Sequence, residues 1–117
     1  MCHVLIIEDD ALIALDLQGM LEAAGALSFS FADSEAEAIA EARARRPDVI
    51  ASDVMLREGS GPGAVQAIHA EYGPLPVFYV TGTPEACQPC EPPVHIVPKP
   101  ATQEAIRAAF TQVRGGC

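Results

Sequence analysis

The sequence predicts an α/β domain, in which helices cover both faces of a five-stranded parallel sheet. Short apolar runs alternate with longer segments of helical periodicity along the 117 residues. Alternation of this kind is typical of a doubly wound parallel sheet. The runs are largely apolar throughout, which indicates strands buried on both faces. The elements that carry this prediction follow in chain order.

The first strand, helix and second strand lie within the first 31 residues. Val4–Ile7 is too short for a helix and is flanked by polar residues, so it predicts a buried strand. Apolar side chains then recur at helical spacing from Ile13 to Ala24, and Gly25 is a natural end to that helix. In residues 27–31, leucine and phenylalanine alternate with serine, which predicts a half-buried strand at a sheet edge.

The middle of the chain predicts a helix, a strand and a second helix. Ser34 and Glu37 form a capping box that opens the helix, and Pro47 ends it. Asp48–Asp53 is an apolar run closed by an acid, and it predicts the third strand. The glycine-rich residues 58–63 predict a flexible loop, and a weak helix follows over Ala64–Tyr72.

The last third predicts two strands that are separated by a poor helix. Pro76–Thr81 has the composition of a buried strand. Four prolines within residues 82–93 make the fourth helix short or irregular. Val94–Val97 predicts the last strand, and Thr102 caps a final helix with a single apolar stripe.

Size and charge limit the possible functions. The length suits a single domain over residues 1–117, and half of the residues are hydrophobic. No apolar run approaches 18 residues and the start lacks the basic region of a signal peptide, so we expect a cytoplasmic protein without a membrane-spanning helix. A net charge of -9 argues against nucleic-acid binding and favours a divalent cation or a basic protein surface as partner.

Polar residues follow four of the five predicted strands. Ligands of open parallel sheets bind beyond the carboxyl ends of the strands, and in the strand order 2-1-3-4-5 the first and third strands are neighbours. Glu8 and Asp9 follow the first strand and Asp53 follows the third, so these three carboxylates should converge on one crevice. Thr81 and Lys99 follow the fourth and fifth strands and should lie beside it.

The chemistry of this set predicts a phosphoryl-transfer site. Oxygen ligands without histidine or cysteine favour a hard ion, and an open site favours Mg²⁺. Lys99 supplies a fixed positive charge, and Thr81 supplies a hydroxyl that can donate to an oxyanion. Asp53, alone on its strand, is the expected nucleophile. Asp10, in contrast, is well placed to cap the first helix.

Four sequence blocks, VLIIEDD, PDVIASDVML, VFYVTG and VPKP, resemble the signature blocks of the receiver domain of bacterial two-component response regulators. They stand in the family's order between positions 4 and 100. The resemblance implies a flavodoxin-like fold and a phosphoprotein in a phosphorelay. It also implies that a histidine kinase or a histidine phosphotransfer protein donates the phosphoryl group, and that the acyl phosphate is slowly hydrolysed without an ordinary enzymatic turnover.

The resemblance also implies a role for each matching residue. Asp53 would accept the phosphoryl group. Glu8 and Asp9 would hold Mg²⁺ together with Asp53 and the backbone carbonyl of Met55. Two further positions complete the set: Thr81 would be the switch hydroxyl, and Lys99 would pair with phosphoryl oxygens, with a cis peptide bond between Lys99 and Pro100.

Two positions depart from the usual receiver pattern. Ile96 stands where the family often has the aromatic half of the switch, and Ala101 stands where it often has phenylalanine. The block Tyr79–Gly82 resembles a subgroup with a Phe-Ala-Thr-Gly fourth strand, no aromatic switch and a mobile fourth-helix region. These departures put the usual coupling from the fourth helix to the fifth in doubt.

Two other classes of function stay open. The chain can be a receiver-like interaction module that is never phosphorylated, although the complete set of five residues argues against that. It can also be a thiol redox protein that uses Cys87 and Cys90, whose spacing resembles a redox motif but lies in a proline-broken segment. We expect the four cysteines to be incidental thiols in a reducing compartment, in preference to a zinc site.

Overall fold

The computed structural model describes residues 2–83, 85 and 95–117. Its strands are β1 (His3–Ile7), β2 (Ser28–Ala32), β3 (Val49–Ser52), β4 (Val77–Thr81) and β5 (Ile96–Pro98). Its helices within those residues are α1 (Ala11–Ala23), α2 (Glu35–Ala44), α3 (Gly61–Tyr72) and α4 (Gln103–Val113). All paired strands are parallel, in the order β2-β1-β3-β4-β5, which confirms the predicted topology.

Two hydrophobic cores lie on opposite faces of the sheet, as a doubly wound fold requires. Alternate residues of β1 divide between them, because successive side chains of a strand point to opposite faces. Val4 and Ile6 pack in the core beneath α1 and α4, while Leu5 and Ile7 pack in the core beneath α2 and α3. Central strands buried on both faces explain why their sequences are apolar without alternation.

The caps of three helices confirm the predicted helix starts. Asp10 accepts hydrogen bonds from the first turn of α1, and the hydroxyl of Thr102 accepts one from Ala105 in α4. Ser34 accepts the N–H of Glu37, whose carboxylate reaches back to the N–H of Asp33. The predicted irregular fourth helix falls within residues 82–93, of which only 82, 83 and 85 belong to the described part of the chain.

The third helix begins three residues earlier than the sequence predicted, so the flexible loop predicted over residues 58–63 is shorter. Ser60 caps α3 by accepting the N–H of Gly63, and Pro62 lies in the first turn, where its missing N–H costs nothing. A Cβ atom at Gly61 would collide with the backbone carbonyl of Asp53. The glycine is therefore needed for close approach to β3, which the composition alone did not distinguish from flexibility.

The alternation predicted for residues 27–31 gives a correct edge strand but only part of the expected burial. Phe29 packs against the core beneath α1 and α4, whereas Phe31 is 39% exposed. Leu27 precedes β2 and is 66% exposed. Because β2 pairs with one neighbour only, its outer side has no strand to cover the remaining aromatic surface.

Cys2 and Cys117 form a disulfide, with Cα atoms 4.9 Å apart and a sequence separation of 115. For these two residues the prediction of incidental free thiols is wrong, and a disulfide leaves no thiolate to bind zinc there. Cys87 and Cys90, on which the redox alternative depends, lie outside the described residues. Among the described helices, none is long and apolar enough to cross a membrane.

Candidate functional site

Three carboxylates converge where β1 and β3 end, as the sequence predicted. Ile7 pairs with Ser52 in the register of these adjacent parallel strands, so the next residues, Glu8 and Asp53, emerge side by side. Oxygen atoms of Glu8, Asp9 and Asp53 lie within 4.8 Å of one another. Glu8 and Asp53 are buried and Asp9 is half-buried, so the charges face one another away from much of the solvent.

Lys99 places its ammonium between two of these carboxylates. Its Nζ atom lies 2.7 Å from Oε1 of Glu8 and 2.9 Å from Oδ2 of Asp53. The residue follows β5, and its backbone N–H donates to the carbonyl of Thr81 at the end of β4. The predicted convergence of Lys99 on the crevice is thereby confirmed, and so is the cis peptide bond between Lys99 and Pro100.

Burial and the contacts between Lys99 and the carboxylates shift the pKa values of Glu8 and Lys99. Burial raises the pKa of Glu8, and the hydrogen bond from Lys99 opposes that rise only in part. Burial would by itself lower the pKa of Lys99, but its hydrogen bonds to Glu8 and Asp53 outweigh burial and leave that pKa raised. The lysine therefore stays charged, and the site has a residual preference for positive charge.

Asp53 is held through both carboxylate oxygens. Oδ1 accepts the backbone N–H of Val54 at 2.7 Å, and Oδ2 accepts from Lys99. The hydroxyl of Ser52 donates to the backbone carbonyl of Asp53 at 2.7 Å. These contacts fix the side chain at the strand end, so its orientation is set before any ligand binds.

Asp9 has a partner that the sequence analysis missed. The backbone N–H of Arg57 donates to Oδ2 of Asp9 at 2.8 Å, and the exposed guanidinium Nε lies 3.8 Å from the same oxygen. The more important donor is a backbone N–H, which every residue except proline carries. No residue type in the sequence could have marked it.

The loop after β3 forms a narrow turn beside the carboxylates. Met55 and Ser60 form an antiparallel β-bridge, and the N–H of Gly61 donates to the carbonyl of Val54. The side chain of Met55 is 59% exposed, so this residue contributes to the turn through its backbone. The turn fixes the direction of the backbone at Met55, the residue whose carbonyl the sequence resemblance placed at the metal.

Thr81 lies buried at the end of β4, where its hydroxyl contacts Thr83. Its Oγ1 accepts the backbone N–H of Thr83 at 3.0 Å and lies 3.3 Å from the Thr83 hydroxyl. The sequence analysis placed Thr81 correctly at the strand end and did not identify Thr83 as its partner. Asp10, next to Glu8, has the predicted cap role, and its N–H also donates to Oε2 of Glu8 at 3.1 Å.

The two departures from the receiver pattern have visible consequences. Ile96 packs against the core beneath α2 and α3. Ala101 lines a groove of about 320 Å³ beside Lys99, between α1 and the segment after β5. Apolar side chains of Ile13 and Met20 form part of its wall. A small residue at position 101 thus leaves space next to the site, where a phenylalanine would add a large apolar side chain.

The donor set fits a hard divalent cation. It consists of carboxylate oxygens from Glu8, Asp9 and Asp53, and Lys99 offsets only part of their charge. Carboxylates in an open site are the ligands that Mg²⁺ prefers, because it keeps several waters. The group could therefore hold Mg²⁺.

Comparison with known proteins identifies the family. Residues 4–111 match the response regulator receiver domain. The chain belongs to this family. Receiver domains generally bind Mg²⁺ in an acidic pocket, and the acidic cluster of this receiver lies at the corresponding end of its sheet.

Individual relatives agree with this assignment. The receiver is 33% identical over 114 residues to the phyllosphere-induced regulator PhyR of Methylorubrum extorquens, matching 94% of this chain and 42% of that protein. It is 31% identical to the anti-anti-sigma factor PhyR from Bartonella quintana, with a TM-score of 0.81 over 96% of this chain and 46% of that one. The chain thus spans less than half the length of these relatives.

A third relative is matched along almost its whole length. Chemotaxis protein CheY4 of Vibrio cholerae is 28% identical to the receiver, with a TM-score of 0.85. The match covers 97% of this chain and 98% of that chain. The flavodoxin-like fold expected from the sequence is therefore shared with a protein of similar size.

Proposed function

We propose that this receiver accepts a phosphoryl group on Asp53 in a Mg²⁺-dependent step of a two-component phosphorelay. The observation that carries the proposal is the position of Asp53, a buried carboxylate held by Lys99 within 4.8 Å of oxygens of Glu8 and Asp9. A carboxylate nucleophile next to fixed positive charge and acidic metal ligands is suited to phosphoryl transfer, which depends on positioning and charge neutralisation.

The donor would be a histidine kinase or a histidine phosphotransfer protein. In the transfer, the phosphorus–nitrogen bond of the phosphohistidine breaks as a phosphorus–oxygen bond to Asp53 forms, and the imidazole leaves with the bonding electron pair. Slow hydrolysis then returns the receiver to its unphosphorylated form. Water attacks phosphorus, the Asp53 carboxylate leaves, and inorganic phosphate is released. Neither step requires a further co-reactant.

Each side chain has a separate part in this proposal. Lys99, which already touches Asp53, would pair with a phosphoryl oxygen and keep its positive charge at neutral pH. Thr81 would release Thr83 and donate its hydroxyl to another phosphoryl oxygen. Glu8, Asp9 and Asp53, with the carbonyl of Met55, would hold Mg²⁺. When bound, Mg²⁺ would offset the charge shared by the acceptor and the incoming phosphoryl group.

Mass spectrometry with acetyl phosphate tests the proposal. The wild type should gain one phosphoryl group when Mg²⁺ is present and none when it is chelated. Asp53→Asn should abolish the gain, because an amide is a poor nucleophile. Asp33→Asn removes an exposed carboxylate of the same size elsewhere and should leave the gain unchanged.

Two results would contradict the proposal. An unmodified wild type would favour the receiver-like interaction module. An equal gain in Asp53→Asn would place the modification on another residue. A functional effect of a reversible Cys87–Cys90 bond, lost in Cys87→Ser, would instead favour the redox alternative.

We also propose that the downstream partner is a protein and that residues 1–117 act as one receiver unit in the cytoplasm. The net charge of -9 supports a protein surface over nucleic acid or an anionic membrane. The similarity to an anti-anti-sigma factor of Bartonella quintana supports an anti-sigma factor as the class of partner. Phosphorylation-dependent binding to such a protein, measured with wild type and Asp53→Asn, tests this part.

A further inference from the structure

The start of α2 is tied to the loop that follows Asp53. Oε1 of Glu35 accepts the backbone N–H of Ser60 at 3.0 Å, and the backbone N–H of Glu35 donates to the carbonyl of Glu58 at 3.1 Å. One residue of α2 thus binds the loop through both its main chain and its side chain. No other role described above requires this contact.

Two glycines make room for the Glu35 side chain. A Cβ atom at Gly63 would lie 2.6 Å from Oε1 of Glu35, and one at Gly59 would also crowd this side chain. Gly59 has a φ of +83°, a conformation that glycine adopts without strain. The loop backbone therefore leaves space for the side chain of half-buried Glu35, and the contact between them is a built-in feature of the fold.

The same loop carries Met55, the proposed backbone ligand, and Arg57, a partner of Asp9. Ser60, held by Glu35, forms the β-bridge with Met55, whose carbonyl is the proposed backbone ligand. Arg57, two residues after Met55, donates its backbone N–H to the carboxylate of Asp9. A displacement of the loop would therefore move the Met55 carbonyl and release Asp9 together.

We infer that Glu35 is a positioning residue for the cation site, acting by accepting the N–H of Ser60 and so fixing the loop that carries Met55 and Arg57. This inference rests on the proposed function, because it concerns the affinity of the same site for Mg²⁺. Partners behind the direct ligands of a metal typically change its affinity by about 10-fold or more when they are lost.

Four variants separate the reach of the side chain from its charge. Glu35→Ala loses both, Glu35→Asp keeps the charge but is one methylene shorter, and Glu35→Gln keeps the length and an acceptor oxygen. The matched control is Glu37→Ala: it removes another carboxylate of the first turn of α2, one that binds Asp33 and not the loop.

Calorimetric titration with Mg²⁺ gives the first measurement. Glu35→Ala and Glu35→Asp should bind Mg²⁺ about 10-fold more weakly, whereas Glu35→Gln and Glu37→Ala should bind like the wild type. Amide hydrogen exchange in the metal-free protein gives the second. The Ser60 N–H should exchange faster in Glu35→Ala and Glu35→Asp, and at the wild-type rate in the other two.

The outcomes distinguish this inference from the proposed function. Unchanged Mg²⁺ affinity in Glu35→Asp, with weaker binding in Glu35→Gln, would show that charge matters and would overturn the positioning role. Wild-type affinity in all four variants would overturn it as well. If the wild type binds no Mg²⁺ and gains no phosphoryl group, the proposed function fails first, while hydrogen exchange still reports on the Ser60 contact. Glu35→Asp keeps an acid at the helix start, so the test survives if Glu35→Ala does not fold.

Discussion

Buried polar groups have different kinds of partner at the two ends of the sheet. At the amino end, the ring nitrogens of His3 each lie 2.7 Å from a serine hydroxyl, of Ser28 and of Ser30. The backbone N–H of His3 donates to Asp48. At the carboxyl end, Glu8 and Asp53 share the single ammonium of Lys99.

The difference separates a structural arrangement from a binding site. Among the described residues, the buried His3 at the amino end has a partner within the chain for each ring nitrogen and for its backbone N–H, so its hydrogen bonding needs no ligand. At the carboxyl end, the hydrogen bonds are satisfied but the charges are not balanced, since three carboxylates face one lysine and an exposed arginine. A charge imbalance among buried carboxylates, in a region whose polar groups are otherwise paired, favours the binding of a cation.

The largest expected effect concerns the amino end. Reduction of the disulfide between Cys2 and Cys117 should lower the free energy of unfolding by about 4 kcal/mol, since the bond joins residues 115 apart and restricts the unfolded chain. Urea unfolding with and without reductant measures the change. Mg²⁺ affinity should stay constant, because the carboxylates lie at the opposite end.

Cys117→Ser is the control for this measurement. It should unfold like the reduced wild type, and reductant should have no further effect on it. An equal response of Cys117→Ser and wild type to reductant would mean that other cysteines account for the change. A loss of Mg²⁺ affinity on reduction would show that the two ends of the sheet are coupled, and would contradict their separate roles.

The next effect concerns the carboxyl end. Lys99→Met should lower the free energy of unfolding by about 2 kcal/mol without Mg²⁺, because Glu8 and Asp53 lose their shared cation. The full cost of an unpaired buried charge is higher, but Lys99 is 20% exposed and water reaches the pair. Thermal unfolding should also show a larger stabilisation by Mg²⁺ in Lys99→Met than in the wild type.

Arg43→Met tests whether the loss of stability in Lys99→Met depends on the burial of the ion pair. Arg43 forms a short ion pair with Glu71, but both side chains are well exposed. Such a pair contributes little, so this variant should unfold like the wild type. Equal losses in Arg43→Met and Lys99→Met would show that the carboxyl end has no special charge imbalance.

The sequence predicted the features of the fold that depend on strand ends. Glu8, Asp53 and Lys99 each stand at or just beyond the end of a predicted strand, so the strand order brings them together. The caps Asp10 and Thr102 were found in the same way, since each precedes a helical pattern. Local pattern and topology were sufficient for these residues.

The features that the sequence did not predict depend on backbone groups or on distant contacts. Arg57 binds Asp9 chiefly through an N–H that has no side-chain signature. Glu35 looks like any first-turn acid, and only the fold shows that it reaches Ser60 across 25 residues. Cys2 and Cys117 lie at opposite ends of the chain, and their pairing requires the whole topology.

The smallest expected effect concerns His3 and is a dependence on pH. Burial lowers the pKa of His3 and the charge of Arg45 adds to this, while Asp48 opposes it. The unfolded chain therefore takes up a proton near the ordinary histidine pKa of about 6.5, whereas the folded chain resists it. Stability from this residue is present above about pH 6.5 and is lost as the pH falls through the folded pKa.

His3→Gln isolates that contribution. The free energy of unfolding of the wild type should fall more between pH 7.5 and pH 5.5 than that of the variant. Glu8 has a raised pKa and acts in the opposite direction, favouring the folded state at lower pH, but it is present in both proteins and cancels in the comparison. Arg45→Gln should reduce the acid loss without abolishing it, because one of two causes remains. Equal pH dependence in wild type and His3→Gln would mean that a protonated His3 is tolerated between Ser28 and Ser30. The amino end would then hold a buried charge, as the carboxyl end does.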